Sequence, residues 1–310
     1  MRRALAGLAC TAAVALSAGC GLGEGDASPG GATLRVTRDF GRVELGGAHT
    51  DSLHKGETVM RLLRSRFDVM TRFGGGFVQS IDGQAGEGSS GQRDWFFFVN
   101  GVESEVGAAE YDVSAGDRIQ WDLRRWQAAM RVPAIVGAFP EPFLNGIEGQ
   151  RRPVRVECEE AEEEPCSDAK AALENAGVPV SGASLGAPGT QTVVRLVVAR
   201  WPQARIVRGA STLEEDPATS GVFARFAGDG KSLDLLDENG EVARTVRPGD
   251  GTALVAALRP RDDELVWLVT SLDRAGLAAG VAALRERPLR DAFAVAVTGS
   301  SVQKLPLVAP

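Results

Sequence analysis

The sequence predicts an α+β protein, in which a small mixed domain precedes an α/β domain with a mostly parallel sheet. Apolar and polar residues alternate at 33–38, as in a half-buried strand, and residues 57–68 change to helical spacing. Later apolar runs such as 193–198 and 265–270 lack this alternation, which indicates strands buried on both faces. We place the first domain at 32–126, a linker at 127–151 and the α/β domain at 152–310.

Turn signals divide the first domain into its strands. Asp39-Phe40-Gly41 separates the first two strands, and the helical segment follows them. The aromatic run at 95–99 ends at Asn100-Gly101, the strongest short hairpin signal, because both residues readily adopt positive φ. Gly116-Asp117 leads into a last strand at 118–123. Two strands, a helix and then further strands is the order expected of a β-grasp domain, so we predict a β-grasp-like fold.

Two motifs of this domain carry a resemblance to a known family. Trp95 with Val99-Asn100-Gly101, followed by Gly116-Asp117 and Trp121, resembles the DUF4430 family. That family is similar to the C-terminal domain of transcobalamin and intrinsic factor, and it lies close to the SLBB-type β-grasp modules. In the cobalamin carriers the related domain covers one face of the corrin. The resemblance therefore implies a soluble ligand, such as a corrinoid or another tetrapyrrole.

The resemblance makes Trp95, Phe97, Asn100 and Trp121 candidates for ligand binding. We expect the ligand in the cleft between the two domains, next to these residues. The alternative is that the three aromatic side chains belong to the core, since they fall on alternating strand positions, and that Asn100 only shapes a turn. The Gly- and Ser-rich loop at 84–93 is the best candidate for a mobile recognition loop.

The first twenty residues predict export. Arg2 and Arg3 precede an apolar stretch at 4–15, which is too short for a bilayer span of about 20 residues but suits a signal peptide. Small residues then lead directly to Cys20, a pattern similar to the lipobox of bacterial lipoproteins. Ser17 departs from that pattern, because leucine usually holds its place.

These features predict a lipid-anchored protein at the extracytoplasmic face of the cell membrane. The signal peptide would span 1–19, Cys20 would carry the lipid, and residues 20–31 would form the anchor and a flexible tether. The alternative is a secretory signal cut nearby, which would leave Cys20 as a free thiol.

Charge and cysteine content restrict the possible partners. The net charge is −7, and loss of Arg2 and Arg3 with the signal peptide takes it to −9. An acidic chain argues against a nucleic-acid partner, which requires a basic face. Outside the cytoplasm, Cys158 and Cys166 are expected to form a disulfide that closes a short acidic loop. A calcium site in this loop is the alternative, but the loop lacks the Asp and Asn alternation of known calcium loops.

The clearest unit of the second domain is its last. A strand at 265–270 leads to Asp273 as a helix cap, a helix follows, and residues 292–297 form another strand. This order predicts a βαβ unit in a parallel sheet. The short apolar segments at 223–226 and 233–237 are expected to pair as a hairpin.

Catalytic constellations are missing from the sequence, so we predict that the protein is not an enzyme and uses no cofactor. Gly182-Ala183-Ser184-Leu185-Gly186 matches a nucleophile elbow, but a proline and a glycine follow closely and no histidine lies downstream. His49 and His54 lie beside a turn at a spacing that does not suit a shared metal ion. We therefore predict no metal site.

The favoured hypothesis is a membrane-tethered extracytoplasmic lipoprotein that captures a small ligand and serves an import system. Its partners would be the membrane through the lipid, a corrinoid-like ligand, and a transporter or another envelope protein. The alternative is an envelope interaction module that docks onto a protein or a wall polymer and has no small ligand.

Overall fold

The structure is a computed structural model that describes residues 27–87, 91–159, 164–187 and 193–308. The predicted signal peptide, the lipidated Cys20 and parts of the two loops at 84–93 and 158–166 lie outside the described residues. No helix in the described part of the chain has the length and apolar character needed to cross a membrane.

A five-stranded mixed sheet forms the first domain, with a small three-stranded sheet beside it. The elements are β1 (Ala27–Arg38), β2 (Val43–His54), α1 (Val59–Arg64), β3 (Val69–Arg72), β4 (Phe77–Ile81), β5 (Gln84–Ala85), β6 (Arg93–Val99), β7 (Val102–Glu103) and β8 (Arg118–Arg125). The large sheet has the order β2-β1-β8-β6-β7, and β3, β4 and β5 form the small one. β1 runs parallel to β8, while β1 with β2 and β6 with β8 are antiparallel. The first strand therefore lies beside the last at the centre of the sheet.

Local signals explain most of this domain. Thr58 caps α1 by accepting a hydrogen bond from the backbone N–H of Arg61. Asn100 and Gly101 both have positive φ, at 53° and 77°, as the hairpin between β6 and β7 requires. The buried side chains of Leu63 and Trp121 belong to one hydrophobic cluster between α1 and the sheet.

The second domain is built on a seven-stranded sheet. Its elements are β9 (Val154–Cys158), α2 (Glu164–Asn175), β10 (Val180–Ser184), β11 (Val194–Arg200), α3 (Trp201–Ala204), α4 (Pro217–Ser220), β12 (Ala224–Phe226), β13 (Leu233–Leu236), β14 (Val242–Val246), β15 (Thr252–Arg261), β16 (Glu264–Ser271), α5 (Arg274–Ala282), α6 (Glu286–Leu289), β17 (Ala294–Thr298) and β18 (Ser301–Leu305). The sheet order is β10-β9-β11-β16-β15-β17-β18, and β12, β13 and β14 form a separate antiparallel sheet that includes the predicted hairpin.

The prediction of a mostly parallel sheet is wrong, because the sheet is mixed. β10, β9, β11 and β16 run parallel, whereas β15, β17 and β18 add antiparallel pairs. Only Asp262 and Asp263 connect β15 to β16, and a parallel pair needs a crossover of about a dozen residues or more. The predicted β16-α5-β17 unit exists, but β15 lies between its two strands. The chain is therefore α+β overall, with mixed sheets.

Apolar side chains cover both faces of this sheet. Leu173 of α2 and Leu277 of α5 pack on one face, and Phe226 of β12 packs on the other. Phe40 and Phe98 of the first domain belong to the same hydrophobic cluster as Phe226. The centroid of the Phe40 ring lies 4.9 Å from that of Phe223. The two domains therefore share a continuous hydrophobic core.

Residues 127–151, predicted as a linker, lie largely inside this assembly. Ile135 donates its backbone N–H to the carbonyl of Gly101, and Val136 donates to that of Phe293. The ring of Phe143 lies 4.9 Å from that of Trp267. The segment thus packs against both domains.

The predicted disulfide is present, and it joins the end of β9 to α2. Cys158 and Cys166 are both buried, with Cα atoms 5.9 Å apart. The helix that follows begins at Glu164, and Cys166 lies in its first turn.

Reduction of this disulfide is expected to lower the free energy of unfolding by about 2–3 kcal/mol, because the bond closes a loop between residues eight positions apart. Urea unfolding with and without reductant measures this. The double variant Cys158→Ala/Cys166→Ala should match the reduced parent and should not respond to reductant. An equal response to reductant in the double variant would contradict the assignment.

Candidate functional site

The three aromatic candidates lie in or against the core of the first domain. Trp95 and Trp121 are buried, and the Trp95 indole donates its Nε1 hydrogen to the carbonyl of Gln84 at 3.0 Å. Phe97 is half-buried and stacks on Trp121, with the ring centroids 4.9 Å apart. These contacts give each side chain a packing role, which is the alternative that the strand alternation indicates.

Asn100 is fully buried, and its side chain connects its own turn to the turn at Gly116-Asp117 and to the segment at 127–151, here called the interdomain segment. Its Nδ2 donates to Asp117 Oδ1 at 2.8 Å and to the carbonyl of Gly146 at 2.9 Å. Its Oδ1 accepts the backbone N–H of Arg118 at 2.9 Å. Burial raises the pKa of Asp117, while hydrogen bonds from Ser114 and Asn100 oppose that rise. Both amide hydrogens of Asn100 are already used, so the side chain acts as a structural bridge.

An open groove lies between α2, the end of α5 and the segment at 139–144. Its volume is about 710 Å³. The apolar lining residues include Phe139, Pro140, Leu144, Ala172, Val281 and Leu284, and the polar ones are Arg118, Asp168, Asn175, Arg285 and Glu286. Apolar walls with a few polar groups are the usual composition of a small-molecule site.

A second cavity, of about 280 Å³, lies between the first sheet and the second domain. Thr33, Ile119 and Gln120 line it from the sheet, and Gly137 and Ala138 line it from the interdomain segment. It adjoins the groove, because Arg118 and Glu286 line both.

Arg118 and Glu286 form an ion pair where the two cavities meet. Arg118 Nη1 lies 3.3 Å from Glu286 Oε1 and also donates to the carbonyl of Phe139 at 3.0 Å. Glu286 is half exposed and also lies 3.8 Å from Arg290 Nη2. A ligand group that takes the place of Glu286 beside Arg118 would let one ligand occupy both the groove and the second cavity.

The wall of the second cavity contains a bidentate ion pair between the domains. Arg35 of β1 donates through Nε to Asp291 Oδ1 at 2.7 Å and through Nη2 to Asp291 Oδ2 at 2.5 Å. The hydrogen bond to Asp291 raises the pKa of Arg35, against the opposing effect of burial. Gln120 also donates to the backbone carbonyl of Asp291 at 3.1 Å. These hydrogen bonds join the first domain to the second along this wall.

Residues 56–125 match the model of DUF4430, a domain of unknown function. The chain carries a DUF4430 domain. None of the curated proteins compared with the chain matches it. The chain is also similar to solved structures, two of which match about a third of its length.

The first of these structures is a protein from Ruminococcus gnavus ATCC 29149, provisionally assigned as metal-binding. It shares 20% identity, covers 31% of this chain and 97% of its own, and has a TM-score of 0.26. The second is haptocorrin in complex with Cbi, with 16% identity, 32% of this chain and 26% of its own chain covered, and a TM-score of 0.26.

The DUF4430 domain contributes Arg118 and Gln120 to the two cavities, and the second domain contributes Glu286 and Asp291. No motif in the sequence marks these four residues as a site, because their contacts join segments far apart in the chain. Among the residues that the structure describes, no group of three or more His, Cys, Asp or Glu side chains could hold a metal ion. The groove combines apolar walls with the half-exposed ion pair of Arg118 and Glu286, and both are features of a small-molecule binding site.

Proposed function

We propose that this protein is a lipid-anchored, extracytoplasmic lipoprotein that binds a small ligand in the groove at Arg118 and Glu286. The observation that carries the proposal is the 710 Å³ groove, which adjoins a second cavity at this ion pair. Its volume lies within the range of about 300–1,000 Å³ that ligand pockets occupy. The ligand would place an apolar body against Phe139 and Leu144 and a polar group at Arg118.

The motif resemblance makes a corrinoid or another tetrapyrrole the first ligand class to test. The strand order β2-β1-β8-β6-β7, with its parallel central pair, supports the β-grasp-like assignment of the first domain on which that resemblance depends. The groove now replaces Trp95, Phe97, Asn100 and Trp121 as the proposed binding surface, because those side chains already have packing or hydrogen-bonding partners.

A lipid on Cys20 would hold the first domain close to the membrane. β1 begins at Ala27, inside the segment 20–31 that the sequence predicts as a tether, so only the six residues 21–26 separate it from Cys20. Six residues reach at most about 20 Å when fully extended. Ligand bound by a protein tethered in this way would be available to a transporter in the same membrane. An import system is therefore the partner that we propose for the protein.

Ligand titration of residues 21–310 tests the proposal, because this fragment keeps every described helix and strand. We expect saturable binding of cobinamide, cobalamin or haem in absorbance and calorimetric titrations. Ala171→Trp, which puts a large ring into the groove, should weaken binding at least about tenfold. Arg118→Ala should weaken it about tenfold through the lost charged hydrogen bond.

The matched control is Ala109→Trp, because Ala109 is also exposed but lines neither cavity. Equal weakening by Ala109→Trp and Ala171→Trp would contradict the groove as the site. Failure of all three compounds to bind would favour the alternative of an envelope interaction module without a small ligand.

A further inference from the structure

The hairpin between β3 and β4 ends in an exposed aromatic tip. Phe73 is 87% exposed, and Met70 on the adjoining strand is 57% exposed. Gly74 and Gly75 follow with positive φ, and a Cβ atom added at either would meet no atom within 4 Å. The tip therefore projects from the surrounding protein surface.

Two arginines flank the tip. Arg72 precedes Phe73 directly, and Arg64 is held beside the hairpin because its Nη2 donates to Thr71 Oγ1 at 2.9 Å. Both side chains are exposed, and neither forms an ion pair with any residue in the part of the chain that the structure covers. We call Arg64, Met70, Arg72 and Phe73 the tip patch.

The tip patch differs in charge from the rest of the chain. The protein as a whole carries a net charge of −7, and many of its other arginines are paired with carboxylates, as Arg205 is with Glu214. The acidic residues of the hairpin, Asp68 and Asp82, lie at its opposite end, where the backbone N–H of Asp68 donates to Asp82 Oδ1. The projecting end of the hairpin is therefore apolar and positively charged.

We propose that the tip patch docks onto the headgroup region of an anionic phospholipid bilayer. Phe73 and Met70 would enter the boundary between headgroups and acyl chains, while Arg64 and Arg72 would bind lipid phosphates. Aromatic residues beside arginines are the composition of interfacial membrane contacts. A stable protein partner would require a broad surface, which a single projecting tip does not supply. The contact would orient the domains above the membrane, and it does not depend on the ligand groove.

Vesicle co-sedimentation of residues 21–310 tests this proposal. The parent should bind vesicles of equimolar phosphatidylglycerol and phosphatidylcholine, should not bind pure phosphatidylcholine, and should be released by salt. Phe73→Ser should lower the partition coefficient about tenfold, through the loss of the buried ring. The double variant Arg64→Glu/Arg72→Glu should lower it by at least about twentyfold, because each arginine near an anionic surface contributes about fivefold.

Two matched controls should keep the parent's partition coefficient. Ile206→Ser removes an apolar side chain that is 74% exposed on the other domain, and Arg247→Glu/Arg287→Glu reverses two exposed charges outside the tip patch. The proposal is overturned if the parent does not bind the anionic vesicles, or if the tip variants bind as tightly as these controls. Binding of the parent to poly-glutamate but not to vesicles would also overturn it, in favour of an acidic protein partner.

Discussion

Replacing Arg124 with Met is expected to lower the free energy of unfolding by about 3–5 kcal/mol, because the change removes one partner from a buried charged network. Arg124 is fully buried, and its guanidinium donates to the carbonyls of Ala129 and Met130 at 2.8 and 3.0 Å. Its guanidinium carbon also lies 3.8 Å from the centroid of the Phe96 ring. Methionine fills much of the same volume but supplies no hydrogen to either carbonyl.

The charge of Arg124 persists at neutral pH despite its burial. Burial lowers its pKa to about 10, while Glu103 and Asp122 oppose the decrease. Glu103 lies 3.9 Å away, and burial raises its own pKa. The substitution would therefore leave Glu103 without its buried cation as well as two carbonyls without a donor.

Urea unfolding followed by tryptophan fluorescence measures the effect. The matched control is Arg225→Met, which removes an arginine paired at the surface with Asp216 and should cost less than about 1 kcal/mol. Equal losses for the two variants would show that the buried position of Arg124 has no special energetic role.

Glu157→Gln is expected to lower the free energy of unfolding at neutral pH by about 2–4 kcal/mol, because it leaves two partly buried arginines without their shared carboxylate. Glu157 is fully buried. Its Oε2 accepts from Arg195 Nη2 at 2.7 Å, and its Oε1 accepts from Arg195 Nε and Arg155 Nε, both at 2.8 Å. A neutral amide cannot balance either guanidinium.

The same substitution should change the response of the fold to acid. Burial alone raises the pKa of Glu157, but the hydrogen bonds and charges of Arg195 and Arg155 outweigh it, so the pKa lies below the ordinary value. A lowered native-state pKa stabilises the fold above the ordinary glutamate pKa, and this contribution disappears as the pH falls through the lower value. Glu157→Gln should therefore lose less stability than the parent as the pH falls from about 6 to below the ordinary glutamate pKa.

Thermal or urea unfolding across this pH range provides the measurement. Glu44→Gln is a suitable control, because Glu44 is largely exposed in its pair with Arg35. The control should follow the acid response of the parent. A Glu157→Gln variant with the parent's acid response would mean that the buried carboxylate does not titrate as its surroundings indicate.

Features set by neighbouring residues could be predicted from the sequence. Asn100-Gly101 forms its hairpin because both residues tolerate positive φ, and Cys158 and Cys166 are close enough in the chain to pair. The antiparallel partners of β15 could not be predicted in this way, because apolar runs alone do not reveal strand direction. The connection at 262–263 does reveal the direction, because two residues can join only antiparallel neighbours.

The candidate site could not be predicted in the same way. In the sequence, Arg118 is only the first residue of the strand predicted at 118–123, and its contact with Glu286 depends on how the two domains pack. The role of Asn100 likewise depends on the carbonyl of Gly146, which a buried turn brings into contact. Such contacts arise from tertiary packing, for which neither residue type nor spacing carries a local signature.

The pairing of Arg35 with Asp291 has a consequence for the order of synthesis. The two residues are 256 positions apart, and Lys304 donates a further hydrogen bond to the carbonyl of Gly41. During synthesis from the amino end, the first domain therefore emerges with Arg35 paired only with Glu44 and with Phe40 uncovered until nearly the whole chain has followed. Contacts over such separations slow folding. The nascent first domain should accordingly be a substrate for holding chaperones until residue 291 is free to reach it.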